Sequence, residues 1–214
     1  MSALAARYRE ALADPYFRMS LAQGVVLFAA SLLVIFYAID YATLRAGNYV
    51  EDLFLSNVEV WDTRTAFVWG TFAMILVTAV VFLAQPWRLP FCLKAMALFF
   101  IIRAIFISLT HLGPYPLLEP PTPSPFLNEM FFGGDLFFSA HTGLPFLGAV
   151  AFWHIPRLRY LFLGASIFFG AIVLLGHYHY SIDVAAAFFI TYGIFHIARD
   201  ILFKRDWQNL LAKS

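Results

Sequence analysis

In the stretch FFGGDLFFSAHTG (residues 131–143), Asp135, Ser139 and His141 fall within seven residues of one another. A second stretch, GHYHYSID (residues 176–183), sets His179 four residues before Asp183. A helix beginning near Tyr178 would put both on one face. A carboxylate beside an imidazole fixes its tautomer and stabilises its charged form, which a catalytic histidine needs. Ser139 is a favoured N-cap, and SAHTGLPFLGAVAF reads as a helix with His141 and Thr142 in its first turn. Unpaired N–H groups at such a start, with the positive end of the helix dipole, form an anion site. Taken singly, each motif also reads as structure: an ordinary capped helix, or a His–Asp pair at a helix start. Together they suit phosphoryl transfer, in which one histidine attacks phosphorus and the other protonates the departing oxygen. Arg103, an arginine within an apolar stretch, adds planar donors that can hold phosphate oxygens.

The elements that must position these groups are apolar. The chain has 214 residues, 62% hydrophobic and 13% charged, with a mean hydropathy of +0.77. A soluble domain cannot hide that much apolar surface, so the expected class is an all-α polytopic membrane protein. Six spans are expected: Leu21–Tyr41, Ala66–Ala84, Phe91–Leu112, Ser139–Trp153, Tyr160–Gly176 and Asp183–Phe203. The first is too long for the core of a cleavable signal peptide. The expected organisation is an amphipathic interfacial segment over residues 1–20, a six-helix catalytic domain over 21–203 and a cytoplasmic tail over 204–214. The single cysteine, Cys92, excludes an internal disulfide.

Of the 14 lysines and arginines, Arg103 falls deep inside a span, and Arg45 and Arg64 fall on one membrane face; the other 11, with Lys94 and Arg199 near the ends of their spans, belong to the other. The arginine-poor face carries Glu51, Asp52, Glu59, Asp62, Glu119, Glu129, Asp135 and Asp183. The positive-inside rule then places both termini in the cytoplasm and both motifs on the extracytoplasmic face. Residues 114–125, PYPLLEPPTPSP, hold six of the 11 prolines and form an extended loop leading into the first motif.

Gly134-Asp135-x3-Ser139-Ala140-His141-Thr142 resembles the G-D-x3-S-G-H-T stretch of sphingomyelin synthases. His179-Tyr180-Ser181-Ile182-Asp183-Val184, followed by Ala187 and Phe188, resembles their H-Y-[ST]-x-D-V-x2-[AG]-Y stretch, and Arg103 stands where they carry an arginine in the third span. Those enzymes belong to the type 2 phosphatidic acid phosphatase superfamily, whose six-helix fold the spans match. The resemblance implies His179 as nucleophile, Asp183 as its orienting partner and His141 as acid for the leaving alkoxide and then base for the acceptor. Arg103, Ser139 and Asp135 would bind the phosphate. Ala140 departs from the family's glycine. Val173 stands six residues before the nucleophile, where superfamily phosphatases carry arginine, and this leans the reading toward the transferase branch.

The implied activity is a sphingolipid-type lipid phosphotransferase acting through a phosphohistidine. Its donor is a phospholipid and its acceptor a lipid alcohol such as ceramide or diacylglycerol. With water as acceptor, the same site gives a lipid phosphatase or phospholipase C. A third reading, a transporter or scramblase using Arg103 and the histidines as a polar path, lacks repeat symmetry and matched broken helices. The family works without metal, so the His177-x-His179 pair is expected to hold none, and no cofactor or nucleic-acid partner is expected. The oligomeric state is left open.

Overall fold

The computed structural model describes residues 3–116 and 136–213. Every regular element among them is helical: α1 (Ala3–Ala13), α2 (Pro15–Leu44), α3 (Arg64–Ala84), α4 (Leu89–Leu109), α5 (Ala140–Ala151), α6 (Pro156–Leu175), α7 (Ser181–His196) and α8 (Lys204–Lys213). A 3₁₀ turn (Pro86–Arg88) leads into α4, and a π-helical stretch (Ile197–Leu202) follows α7.

Among the described residues, five helical stretches are long and apolar enough to cross a membrane: Pro15–Leu44, Arg64–Ala84, Pro86–Leu109, Pro156–Leu175 and Ser181–Leu202. Their outward faces carry large apolar side chains such as Leu33, Phe36, Leu76 and Phe189. In water these would be an aggregation hazard; in hydrocarbon they are the lipid contact. The chain is an all-α polytopic membrane protein.

The segment expected as the fourth span differs. It forms only the 12-residue α5, about 18 Å long against a hydrocarbon core of about 30 Å. Ser139 caps one end. At the other, Pro156 disfavours helical geometry in Ile155, and the chain turns through Phe152–Ile155 before α6 begins. The N-terminal segment also divides earlier than expected. The Asp14 carboxylate accepts the Tyr16 N–H at 2.9 Å and Pro15 takes the first helical position, so residues 15–20 belong to the first long helix.

Small residues set how the bundle closes. The buried stripe of α2 is Phe17, Ser20, Gly24, Ser31, Ile35, Ala38 and Ala42. At Gly24 an added Cβ would lie 3.3 Å from the Leu93 side chain of α4. Helices in lipid gain little from apolar burial and associate through such close packing. The largest core cluster joins Phe91 and Phe99 of α4, Phe138, Leu147 and Phe152 around α5, Phe162 of α6 and Ile194 and Phe195 of α7.

The end of the bundle remote from the two motifs is pinned by charge. Lys94 Nζ lies 2.8 Å from Asp206 Oδ2 and donates to Ser20 Oγ at 2.9 Å. Asp206 Oδ1 accepts from Tyr16 at 2.9 Å and from Ser20. Each charge in this buried pair therefore has further hydrogen-bond partners, the condition under which such a pair is tolerated. It fastens α8 to α2 and α4.

Candidate active site

The two motifs meet backbone to backbone: Ser139 N–H donates to the Asp183 carbonyl at 3.1 Å. This bond ties the start of α5 to the start of α7, so the N-terminal ends of two helices lie side by side. Ser139 is the N-cap of α5, its hydroxyl accepting from Thr142 N–H at 3.4 Å. Arg103, buried in α4, donates from Nε to the Phe138 carbonyl at 3.0 Å and so holds the chain just ahead of that cap.

His179 lies just before α7, whose N-cap is Tyr180, and Asp183 occupies the third helical position. His179 Nδ1 and Asp183 Oδ2 are 3.1 Å apart, and the same oxygen accepts the Tyr180 N–H at 3.1 Å. A carboxylate can only accept, so Nδ1 carries the proton of this bond, and in the neutral tautomer the lone pair is on Nε2. The Asp183 bond thereby turns Nε2 away from the carboxylate. His141, in the first turn of α5, is close enough to His179 and Arg103 for their charges to act on it. Its ring lies 4.4 Å from Phe67 of α3 and 5.9 Å from Phe169 of α6, centroid to centroid.

Five of the six expected site residues thus belong to one constellation: Arg103, Ser139, His141, His179 and Asp183. The sixth, Asp135, lies outside the described residues. Ala140 faces an apolar cavity of about 500 Å³ that runs beside α5. Val173 is wholly buried with Phe67, Phe169, Ile172 and Val184, and its carbonyl accepts Tyr178 N–H at 2.8 Å and His179 N–H at 3.4 Å. It is a floor under His179. Phe138 belongs to the core and Phe189, by contrast, points out of the bundle. His177 Nε2 donates to the Val58 carbonyl at 3.1 Å. Burial pushes its imidazole down from the ordinary value against that bond, which leaves it neutral near pH 7.

Both motifs contain strained backbone. Phe137 has φ 85° and His177 φ 55°, and each stands two residues before a site residue. Such geometry in a non-glycine residue costs about 1–3 kcal/mol and persists where the surroundings enforce it. Phe137 is held against Phe106 at 5.6 Å and His177 by its Val58 bond.

Asp52, in the loop between α2 and α3, is one of the acids of the arginine-poor face, and nothing in its spacing marks it as a support of the site. Its Oδ2 accepts from Ser181 N–H at 2.8 Å and from Ser181 Oγ at 2.7 Å. Its Oδ1 accepts from Phe54 N–H at 2.9 Å and Leu55 N–H at 3.0 Å. One carboxylate therefore orders its own loop and satisfies a free N–H at the start of α7. Tyr180 adds a second clamp, donating to the Gly113 carbonyl at 2.8 Å and accepting from Val50 N–H at 3.2 Å. Gly113 must be glycine, since an added Cβ would sit 2.2 Å from the Gly47 carbonyl oxygen.

Burial raises the Asp52 carboxyl, but the bonds from Leu55, Ser181 and Phe54 outweigh it and hold the group below its ordinary value of 3.8. A depressed folded value means stability that is present above the ordinary value and is lost as pH falls through the folded one. Asp52→Asn should therefore lower the melting temperature at neutral pH, through loss of charge-assisted bonds worth about 1.5–3 kcal/mol. The gap to the wild type should close as pH drops below about 4. Thermal unfolding in detergent across that range checks it; a gap that stays constant with pH would refute the role of the charge.

Residues 133–200 match the PAP2 superfamily C-terminal model. That stretch contains Ser139, His141, His179 and Asp183, and so every residue of the paired helix starts. The match supports the superfamily, and with it an enzyme of the lipid phosphatase or phosphotransferase type, without separating the sphingomyelin synthase branch from the others. No curated protein and no solved structure matches the chain.

Proposed function

We propose that this membrane protein is a lipid phosphotransferase. His179 Nε2 attacks the phosphorus of a phospholipid. The bond from phosphorus to the lipid alcohol oxygen breaks, and His141 gives that oxygen a proton. The phosphoryl group, still bearing its polar headgroup, is then carried on His179. His141 next takes the proton of an incoming lipid alcohol, whose oxygen attacks phosphorus and frees His179. Arg103 and the N–H groups at the start of α5 offset the charge on the phosphate oxygens. The observation that carries this reading is the His179–Asp183 bond at 3.1 Å, held beside the α5 start by the Ser139–Asp183 backbone bond.

The apolar surroundings favour a lipid acceptor. The Val173 cluster closes one side below His179, and the cavity beside His141 is lined, apart from His141, Thr71 and Thr78, by apolar residues. A transferase must hold its acceptor within about 3–3.5 Å of phosphorus and limit competing water. The test is mass spectrometry of lipids after incubating purified protein with mixed phospholipids, with and without ceramide or diacylglycerol. A new phospholipid that requires the added alcohol supports transfer. Phosphomonoester or free phosphate with every alcohol offered replaces it with the hydrolase reading, in which water attacks the same intermediate.

The site is further proposed to face away from the cytoplasm, on the distribution of lysine and arginine. Cysteines placed at Asn57, in the loop between α2 and α3, and at Lys213, in a Cys92→Ala background, should differ toward an impermeant thiol reagent. In intact cells Asn57→Cys should label and Lys213→Cys should not; the reverse pattern places the site in the cytoplasm.

A further inference from the structure

The cavity beside α5 has a direction. At the site end it is lined by Ala140 and His141, and along α5 it continues past Leu144 and Gly148 to Ala151 and Phe152. From Ala140 to Ala151 the cavity follows all 12 residues of α5, a depth of about 16–18 Å, or slightly more than half of a hydrocarbon core about 30 Å thick. It is as deep as one leaflet, and its 500 Å³ is of ligand-pocket size.

Its far end is closed by aromatic rings. Phe152 stacks on Phe162 at 5.7 Å and lies 6.2 Å from Phe82 of α3. Beneath them Arg88 sits 5.2 Å from the Phe152 ring and donates to the Ala151 carbonyl at 3.0 Å, so this floor is braced. The α3 side is open by comparison: Phe67 is the buried residue of that helix, while Ile75 and Ala79, which line the cavity, are exposed on it.

We propose that the cavity takes one hydrocarbon chain of the lipid alcohol whose oxygen meets His141, and that Phe82, Phe152 and Phe162 set the longest chain accepted. This rests on the assignment of His141 to that oxygen, and it holds for the leaving alcohol of the donor and for the acceptor alike. A chain moving from bilayer to cavity exchanges one apolar surrounding for another and gains little. Chains shorter than the cavity should therefore be used about equally. A chain that reaches the floor must bend or displace packed rings, and overpacking of that kind lowers the rate by about tenfold or more.

The experiment measures turnover in vesicles for lipids with lauroyl, palmitoyl, arachidoyl and lignoceroyl chains, varied first in the donor and then in the acceptor. The wild type should show a plateau followed by a fall. Phe82→Ala should move the fall to longer chains, and Ala79→Phe, at an exposed position that folding tolerates, should move it to shorter ones. Turnover without a fall, or a fall that neither variant moves, overturns the inference and leaves the proposed activity standing. A second readout does not depend on turnover: palmityl alcohol with a diazirine on its terminal carbon is photolysed with the protein. Label at Phe82, Cys92, Ala151 or Phe152 supports the floor even if no lipid is turned over, whereas label confined to outward residues such as Leu76 and Phe189 overturns it.

Discussion

His179→Ala should abolish turnover, by about 10⁴-fold or more, while the protein still elutes as a folded species. The residue precedes α7 and its backbone N–H, which reaches the Val173 carbonyl, survives the substitution. What disappears is Nε2, the atom proposed to attack phosphorus. With it goes the Nδ1 bond to Asp183, but Asp183 keeps the Tyr180 N–H, so the start of α7 stays capped. Labelled donor should leave acid-labile, base-stable phosphate on wild-type histidine and none on the variant. His141→Ala offers the contrast. It retains the nucleophile but lacks the acid, so donors with a good leaving group should still phosphorylate His179 while ordinary lipids do not. If His179→Ala keeps activity and no phosphohistidine forms, the mechanism fails.

How much of this was legible in the sequence depends on how far apart the partners lie. His179 and Asp183 are four residues apart, and Ser139 caps the helix that it begins, so local spacing sufficed for the His–Asp contact and the cap. The reading worked although His179 stands outside the helix, because Asp183 at the third helical position reaches back toward the chain that enters it. The apolar runs disclosed the class and the five long helices. They overstated α5, since a hydropathy pattern does not see that Pro156 and the turn before it end the helix at Ala151.

The supports of the site were hidden for a different reason. Asp52 is 129 residues from Ser181, and in the sequence it is one acid among several in a loop. Tyr180 sits inside a recognised motif, yet its bond to Gly113 spans 67 residues. The strained φ values of Phe137 and His177 fall on residue types that do not advertise them, as a glycine would. Cavity walls drawn from α2, α3, α4, α5 and α6 have no linear signature at all.

Asp183→Asn should lower the rate by about 10²-fold, the mild end of the range of about 10²–10⁴ for carboxylates that orient a catalytic histidine. The geometry gives the reason. Asp183 Oδ2 accepts from both His179 Nδ1 and Tyr180 N–H, while Oδ1 is buried without a hydrogen-bond partner among the described residues. An asparagine can keep its oxygen at the Oδ2 position and its amide nitrogen at the other. The flipped form would set an NH₂ against the Tyr180 N–H, donor against donor, and is disfavoured. The backbone of Tyr180 thus holds the amide in the orientation that preserves the His179 tautomer, and the charge is what is lost. Asp183→Ala loses the charge, the tautomer and the cap of α7 together, and should cost at least another tenfold along with measurable stability. Steady-state rates for the pair, with melting temperatures measured alongside, separate the two contributions. Equal rates for Asn and Ala would show that Tyr180 does not hold the amide, and a loss under a few-fold for both would reduce Asp183 to a helix cap.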